Sequence, residues 1–160
     1  MFSSDHIGHL LSFDGAAKRN GSGSAACILW SLPSWEVVPA TGHFLETATV
    51  NEAEYSGLVK GIQIALDAAI QQFQGVIGCT QPHLLRLLQE AEGLQAKFKS
   101  LRLVHVKRDF NAAADYISKR AIQEQSSLEV TDLGERKLLQ GLNWIQEKLT
   151  RTRAPENSRW

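Results

Sequence analysis

Between Leu10 and Leu29 the chain sets two apolar runs on either side of a polar, glycine-rich stretch, and Asp14 closes the first run. Runs of this length joined through a short Gly- and Asn-containing segment pair as a hairpin. The first strand is expected over residues 6–13 and the second over 24–31, with Asp14 at the tip of the first. Asp-Gly is also a common turn dipeptide, so Asp14 alone defines no site. Leu32, Pro33 and Ser34 read as a turn. A third strand over 35–45 extends the pair into an antiparallel meander, bent or bulged near Pro39 because proline removes a ladder donor.

The apolar period then changes from two to between three and four. Tyr55, Leu58, Val59, Ile62, Ala65 and Leu66 form one stripe, which predicts a helix over 51–66 with Glu54 in its first turn and Thr49 or Asn51 as cap. An acid there also suits the helix dipole. Residues 69–73 look helical. Pro82 suits the first turn of a further helix whose stripe runs from Leu84 to Phe98. Residues 101–106 alternate and are β-rich, hence a strand. Ala113, Ala114, Ile117, Ala121 and Ile122 mark a helix over 110–122, and Leu138, Leu142, Ile145 and Leu149 mark a last one over 133–149. The expected class is therefore α/β: a mixed sheet made of a three-stranded antiparallel meander plus a parallel strand, flanked by helices. Residues 6–123 form its domain, 124–150 a C-terminal helical extension and 151–160 a tail without fixed structure.

A chain of 160 residues with 43% hydrophobic and 21% charged content is long enough for one domain with a real core. Its formal net charge is zero, so any affinity for nucleic acid must come from local clusters such as Lys18-Arg19 or Lys107-Arg108. Cys27 and Cys79 are too few for a disulfide framework and lack metal-ligand spacing. No basic-then-apolar leader opens the sequence, and no stretch nears the ~20 apolar residues of a membrane span. An intracellular, cytoplasmic or nuclear protein with no membrane partner is the expectation.

Three acids now stand in particular settings: Asp14 after the first strand, Glu54 in the first helix, and Asp115 in the helix that follows the last strand. Dispersed carboxylates brought to one sheet edge suit a hard cation, and paired cations activate water and stabilise the leaving oxygen of a phosphodiester. The segments Ser12-Phe-Asp-Gly15, Asn51-Glu-Ala-Glu-Tyr55 and His105-Val-Lys-Arg-Asp-Phe-Asn-Ala-Ala-Ala-Asp-Tyr116 resemble, in order and spacing, the motifs of type 1 ribonuclease H. The likeness spans about residues 6 to 123 and is nearer to the retrotransposon and plant reverse-transcriptase-like branch. It implies hydrolysis of the RNA strand of RNA–DNA hybrids with Mg²⁺ or Mn²⁺. Carried over by position, Asp14, Glu54 and Asp115 match metal-binding, catalytic carboxylates. Lys18, Asn51, Arg108 and Asn111 match a surface that meets the nucleic acid.

The resemblance also has a gap. The family carries a fourth strand after the first helix, ending in Gly-Asp-Ser, whose Asp is a further metal ligand. Here Leu66 runs straight into Asp-Ala-Ala-Ile-Gln-Gln72, which reads as deletion of that strand and its acid. Asp67 is no substitute, since in a continuous helix it lies about 20 Å from Glu54. Three carboxylates hold a second divalent cation poorly, so impaired activity is expected. The alternative is a non-catalytic nucleic-acid-binding or interaction module derived from a mobile element, with the helix over 133–149 packing on the domain or on a protein partner.

Overall fold

The hairpin forms as expected but is longer. In the computed structural model, which describes residues 8–32, 34–67, 72–77, 100–105 and 108–145, β1 (Gly8–Ala17) pairs antiparallel with β2 (Gly23–Leu32) from Gly8↔Leu32 to Ala17↔Gly23. Asp14 therefore lies within β1, opposite Ala26, and not at its tip. The small residues Gly15, Ala16, Ala17, Ser24 and Ala25 let the ladder continue past it. The turn closes with Gly21 at φ 97°, a conformation that glycine adopts without steric cost. β3 (Glu36–Leu45) continues the meander, and its register against β2 slips between Ile28 and Trp30. Val38 and Pro39 fall in that slip, so the bulge sits at the proline as expected.

A fourth strand is present, and this corrects the expected deletion. β4 (Gln72–Ile77) runs parallel to β1 from His9↔Phe73 to Phe13↔Ile77. β5 (Ser100–His105) runs parallel to β4 in turn. With β6 (Leu128–Glu129) antiparallel to β3, the sheet order is β5-β4-β1-β2-β3-β6. Residues 72–73, expected at the end of a helical segment, are strand. β1 has an open edge whose backbone donors and acceptors must be paired, and that demand overrides the weak local preference of a segment containing two glutamines and a glycine. The sheet is thus mixed, with two parallel strands where one was expected.

Helices cover both faces. α1 (Val50–Asp67) lies against β1 and β2, and its unbroken course to Asp67 sets that residue at the opposite end from Glu54. On the other face a 3₁₀ turn (Arg108–Asn111) leads into α2 (Ala112–Glu124). Ala113, Ala114 and Ile117 of α2 pack with Leu10, Ala26, Ile28 and Trp30 in the main core. The indole of Trp30 is fully buried and donates to Ser12 Oγ at 3.0 Å, so its one polar atom is satisfied.

The helix expected over 133–149 is interrupted after Gly141, and its residues 146–149 lie outside the described ones. α3 (Leu133–Gly141) starts at Asp132, whose carboxylate accepts from Glu135 N at 2.9 Å, and stops at Gly141. Glycine is a poor helix former, and just beyond it Asn143 Oδ1 accepts from Ile145 N at 3.2 Å. α3 packs on the domain itself. Leu139 and Ile145 join the core, Arg136 donates to the carbonyls of Val130 and Val37, and Gln140 donates to that of Trp35. Arg120 of α2 pairs with Glu135, which also accepts from Tyr116 Oη at 2.8 Å. The helix expected over 84–98 and the tail over 151–160 lie outside the described residues. Among those described, no helix is long and apolar enough to cross a membrane.

Candidate functional site

Glu54 owes its position to the way α1 begins. Thr49 Oγ1 accepts from Glu52 N at 3.1 Å while Glu52 Oε1 accepts from Thr49 N at 2.8 Å, a reciprocal capping box that fixes the first turn. Thr49 is thus the cap, and Asn51 lies exposed one residue into the helix. Beyond that turn the face of α1 toward the sheet carries Ala53, Gly57 and Gly61, spaced by four so that they line up along the axis. A Cβ at Gly61 would meet the Leu11 side chain at 2.6 Å, and one at Gly57 would meet the Asp14 carbonyl at 3.0 Å. At the N-terminal end the roles reverse. A Cβ at Gly15 would lie 2.7 Å from Glu54 Cα and closer still to the Ala53–Glu54 peptide.

Helix and strand backbones therefore touch where Asp14-Gly15 meets Ala53-Glu54. Both acids are buried there, Asp14 at 3% exposure and Glu54 at 0%. Gly15, Gly57 and Gly61 are positioning residues that attention to carboxylates alone passes over. Their signal was small residues at a spacing of four in the first helix, matched to a glycine beside Asp14.

From the opposite face, α2 is pinned to the same point. Asn111 Nδ2 donates to the Phe13 carbonyl, the peptide that links to Asp14, at 2.8 Å. Asp115 follows one helical turn later, and its carboxylate pairs with Lys119 at 3.1 Å. Asn111 is itself buried, so its amide holds β1 to α2 and does not stand on an open surface. Lys18 and Arg19 are exposed on the β1–β2 turn. That turn is tied to the loop before α1 by Ala48 N donating to the Gly21 carbonyl at 2.9 Å, so the turn carrying Lys18 lies beside the loop that leads into the α1 turn carrying Asn51. Arg108 lies in the 3₁₀ turn before Asn111.

Among the described residues, no three His, Cys, Asp or Glu side chains close into a metal cage. The expected ligands are all oxygen donors, with Asp14 and Glu54 buried and Asp115 more accessible, and Asn111 Oδ1 is buried with no hydrogen-bond partner among the described residues. This set fits Mg²⁺ or Mn²⁺ better than zinc. Magnesium keeps several waters and is held by one or two carboxylates, not by an all-protein cage. β4 adds no acid, because residues 68–89 contain neither Asp nor Glu and Ile77 is followed by Gly78-Cys79-Thr80.

On the sheet face toward α1, Thr41 Oγ1 lies 3.1 Å from both Cys27 Sγ and His43 Nε2. Burial pushes the Cys27 thiol up and the His43 imidazole down, with Lys60 adding to the second effect. A thiol held protonated in this way is a structural group and not a nucleophile.

Known proteins resemble this chain in sequence and in fold. The bifunctional protein of Mycobacterium tuberculosis is 24% identical over 144 residues, which cover 81% of this chain and 40% of that protein. Ribonuclease HI of Halobacterium salinarum is 28% identical over 127 residues, covering 70% of this chain and 63% of that enzyme. The chain thus spans less than two thirds of either relative. Among solved structures, the N-terminal RNase H domain of the Mycobacterium tuberculosis protein superposes with a TM-score of 0.63 at 22% identity, over 74% of this chain and 96% of the domain. LC11-RNase H1, solved in complex with an RNA/DNA hybrid, superposes at 0.60 with 16% identity, over 73% of this chain and 98% of that one. These likenesses establish a ribonuclease H fold. The sequence profile of the reverse transcriptase-like family matches residues 12–121, and the chain belongs to that family.

Proposed function

We propose that this domain binds RNA–DNA hybrids and hydrolyses the RNA strand slowly, with Mg²⁺ or Mn²⁺ held by Asp14, Glu54 and Asp115. The observation that carries the reading is the contact of Asp14-Gly15 with Ala53-Glu54, two buried acids on touching backbones, with α2 and Asp115 tethered to the same peptide of β1. A buried carboxylate is costly to keep charged, and a bound cation offsets that cost. A bound divalent cation supplies a water of lowered pKa and charge for the leaving oxygen. The chain's part is to hold the carboxylates rigidly and to bring the backbone of the hybrid to them. Lys18, Asn51 and Arg108 supply the phosphate and sugar contacts, which predicts affinity that falls steeply with salt. The complex of LC11-RNase H1 with a hybrid supports this choice of partner.

Slow turnover follows from charge. Three carboxylates balance two divalent cations less well than four, and no acid lies between Asp67 and Glu90 to supply the fourth. The same fact, with Asp115 paired to Lys119, favours a second reading in which the domain binds hybrids without cutting them.

Cleavage of an end-labelled hybrid in Mg²⁺ and in Mn²⁺ tests the first reading. It should be measured for the natural chain, Asp14→Asn, and Cys79→Asp, which restores an acid two residues beyond β4. Slow cleavage that vanishes in Asp14→Asn and rises in Cys79→Asp is the expected result. Cleavage that survives Asp14→Asn overturns the metal site. If neither the natural chain nor Cys79→Asp cuts while salt-sensitive hybrid binding persists, the binding module is the function.

A further inference from the structure

Asn111 is the N-cap of α2, yet its side chain makes no cap hydrogen bond. An Asn in this place ordinarily accepts from a backbone N–H of the first turn. Here Nδ2 donates to the Phe13 carbonyl instead, at 2.8 Å. A carbonyl oxygen can only accept, so the nitrogen must face β1 and the amide orientation is fixed. Oδ1 is left buried with no hydrogen-bond partner among the described residues, in a side chain only 2% exposed. An acceptor in that state loses water and gains nothing in return, a cost that native structures seldom leave uncompensated.

The donor that compensates it must come from outside the described chain, at a point beside the peptide that carries Asp14. Asp14 follows the gripped Phe13 peptide in β1 and Asp115 lies one turn along α2, and acids so placed disfavour an anion there. A hydrated divalent cation suits both needs, because its positive charge matches the acids and its bound waters are polarised donors. We propose that Asn111 Oδ1 accepts a hydrogen bond from a water of the hydrated cation at this site. Asn111 then acts as an outer-sphere ligand as well as the tether between α2 and β1. The inference rests on the cation reading proposed above.

Equilibrium binding of Mn²⁺ to the nucleic-acid-free protein, followed by the EPR signal of free Mn²⁺ and alongside thermal melting, tests it. Asn111→Ala should weaken Mn²⁺ about fivefold, the scale of one ordinary hydrogen bond. Asn111→Asp is the informative variant, because it keeps an oxygen acceptor but sets a carboxylate against the Phe13 carbonyl. The proposal predicts that Asn111→Asp melts lower than the natural chain without metal, yet binds Mn²⁺ at least as tightly. Ala112→Asp, which adds the same charge one residue along, should gain less. If Asn111→Asp binds as weakly as Asn111→Ala, the residue is a tether alone and the proposal fails. Equal gains in Ala112→Asp and Asn111→Asp would assign the effect to net charge and also overturn it. Failure of the natural chain to bind Mn²⁺, or binding indifferent to Asp14→Asn, removes the cation reading and this inference with it. Asp14-dependent binding with a failed Asn111→Asp leaves that reading standing.

Discussion

Toward α1 the sheet presents Leu11, Phe13 and Gly15, which meet Gly61, Gly57 and the Ala53–Glu54 peptide; toward α2 it presents Leu10, Ala26, Ile28 and Trp30, which meet Ala113, Ala114 and Ile117. Around Gly15 and Gly57 the first contact is made by backbone, the second mostly by large side chains. A helix spaced from a sheet by side chains can shift by tenths of an ångström as they repack. One seated directly on glycine and carbonyl atoms has no such slack. Asp14 belongs to both contacts, since Gly57 abuts its carbonyl on one face and Asn111 grips the preceding carbonyl on the other. The seating against α1 sets where Asp14 and Glu54 lie, and the core against α2 adds apolar burial on the other face.

The largest break in this contrast should come from Gly15→Val. Its Cβ would overlap the backbone of α1, which cannot rotate away, so a loss of at least about 3 kcal/mol is expected. Circular dichroism melting would reveal it, and any folded remainder should have lost Mn²⁺ binding. Ile117→Ala on the other face should cost about 2–5 kcal/mol through the cavity it leaves. Because its neighbours are side chains, the folded fraction should keep its Mn²⁺ affinity. If both variants lose Mn²⁺ affinity equally per folded molecule, the two faces do not differ in the way described.

The smallest effect concerns pH. His43 is held below the ordinary imidazole value of 6.5 by burial and by Lys60. As pH falls through 6.5 the unfolded chain takes up a proton that the folded chain resists, so stability is lost in acid until the folded pKa is passed. His43→Gln should flatten the fall in melting temperature between about pH 7 and pH 5. An unchanged slope would assign it to other groups.

Much of this architecture was legible in the sequence. The hairpin, the bulge at Pro39, and the helices carrying Glu54 and Asp115 follow from local patterns strong enough to survive any tertiary context. β4 was not legible, because Gln72–Ile77 has little strand character of its own. Its state is set by β1 and β5 on either side, which lie at least 55 and 23 residues away in sequence. Asp14 was placed at a strand tip and lies inside β1, since the ladder beyond it is held by small residues with no apolar alternation. Asn111 was legible as a motif position. Its grip on Phe13 depends on how α2 crosses β1, which no local pattern encodes.

β6 consists of two residues, Leu128 and Glu129, and it pairs with Thr41 and Gly42 on the outer side of β3. With Val130 N donating to the Ala40 carbonyl at 2.9 Å, this short piece occupies part of the hydrogen-bonding edge of the meander. An uncovered strand edge is a template on which another chain can add. A version of this protein cut after α2 would keep every candidate site residue and still present that edge to its neighbours. Such a fragment also loses Val130, Leu139 and Ile145 from the core, so it is expected to associate edge to edge more readily than the longer chain, and the segment after α2 shields an edge as well as completing the core.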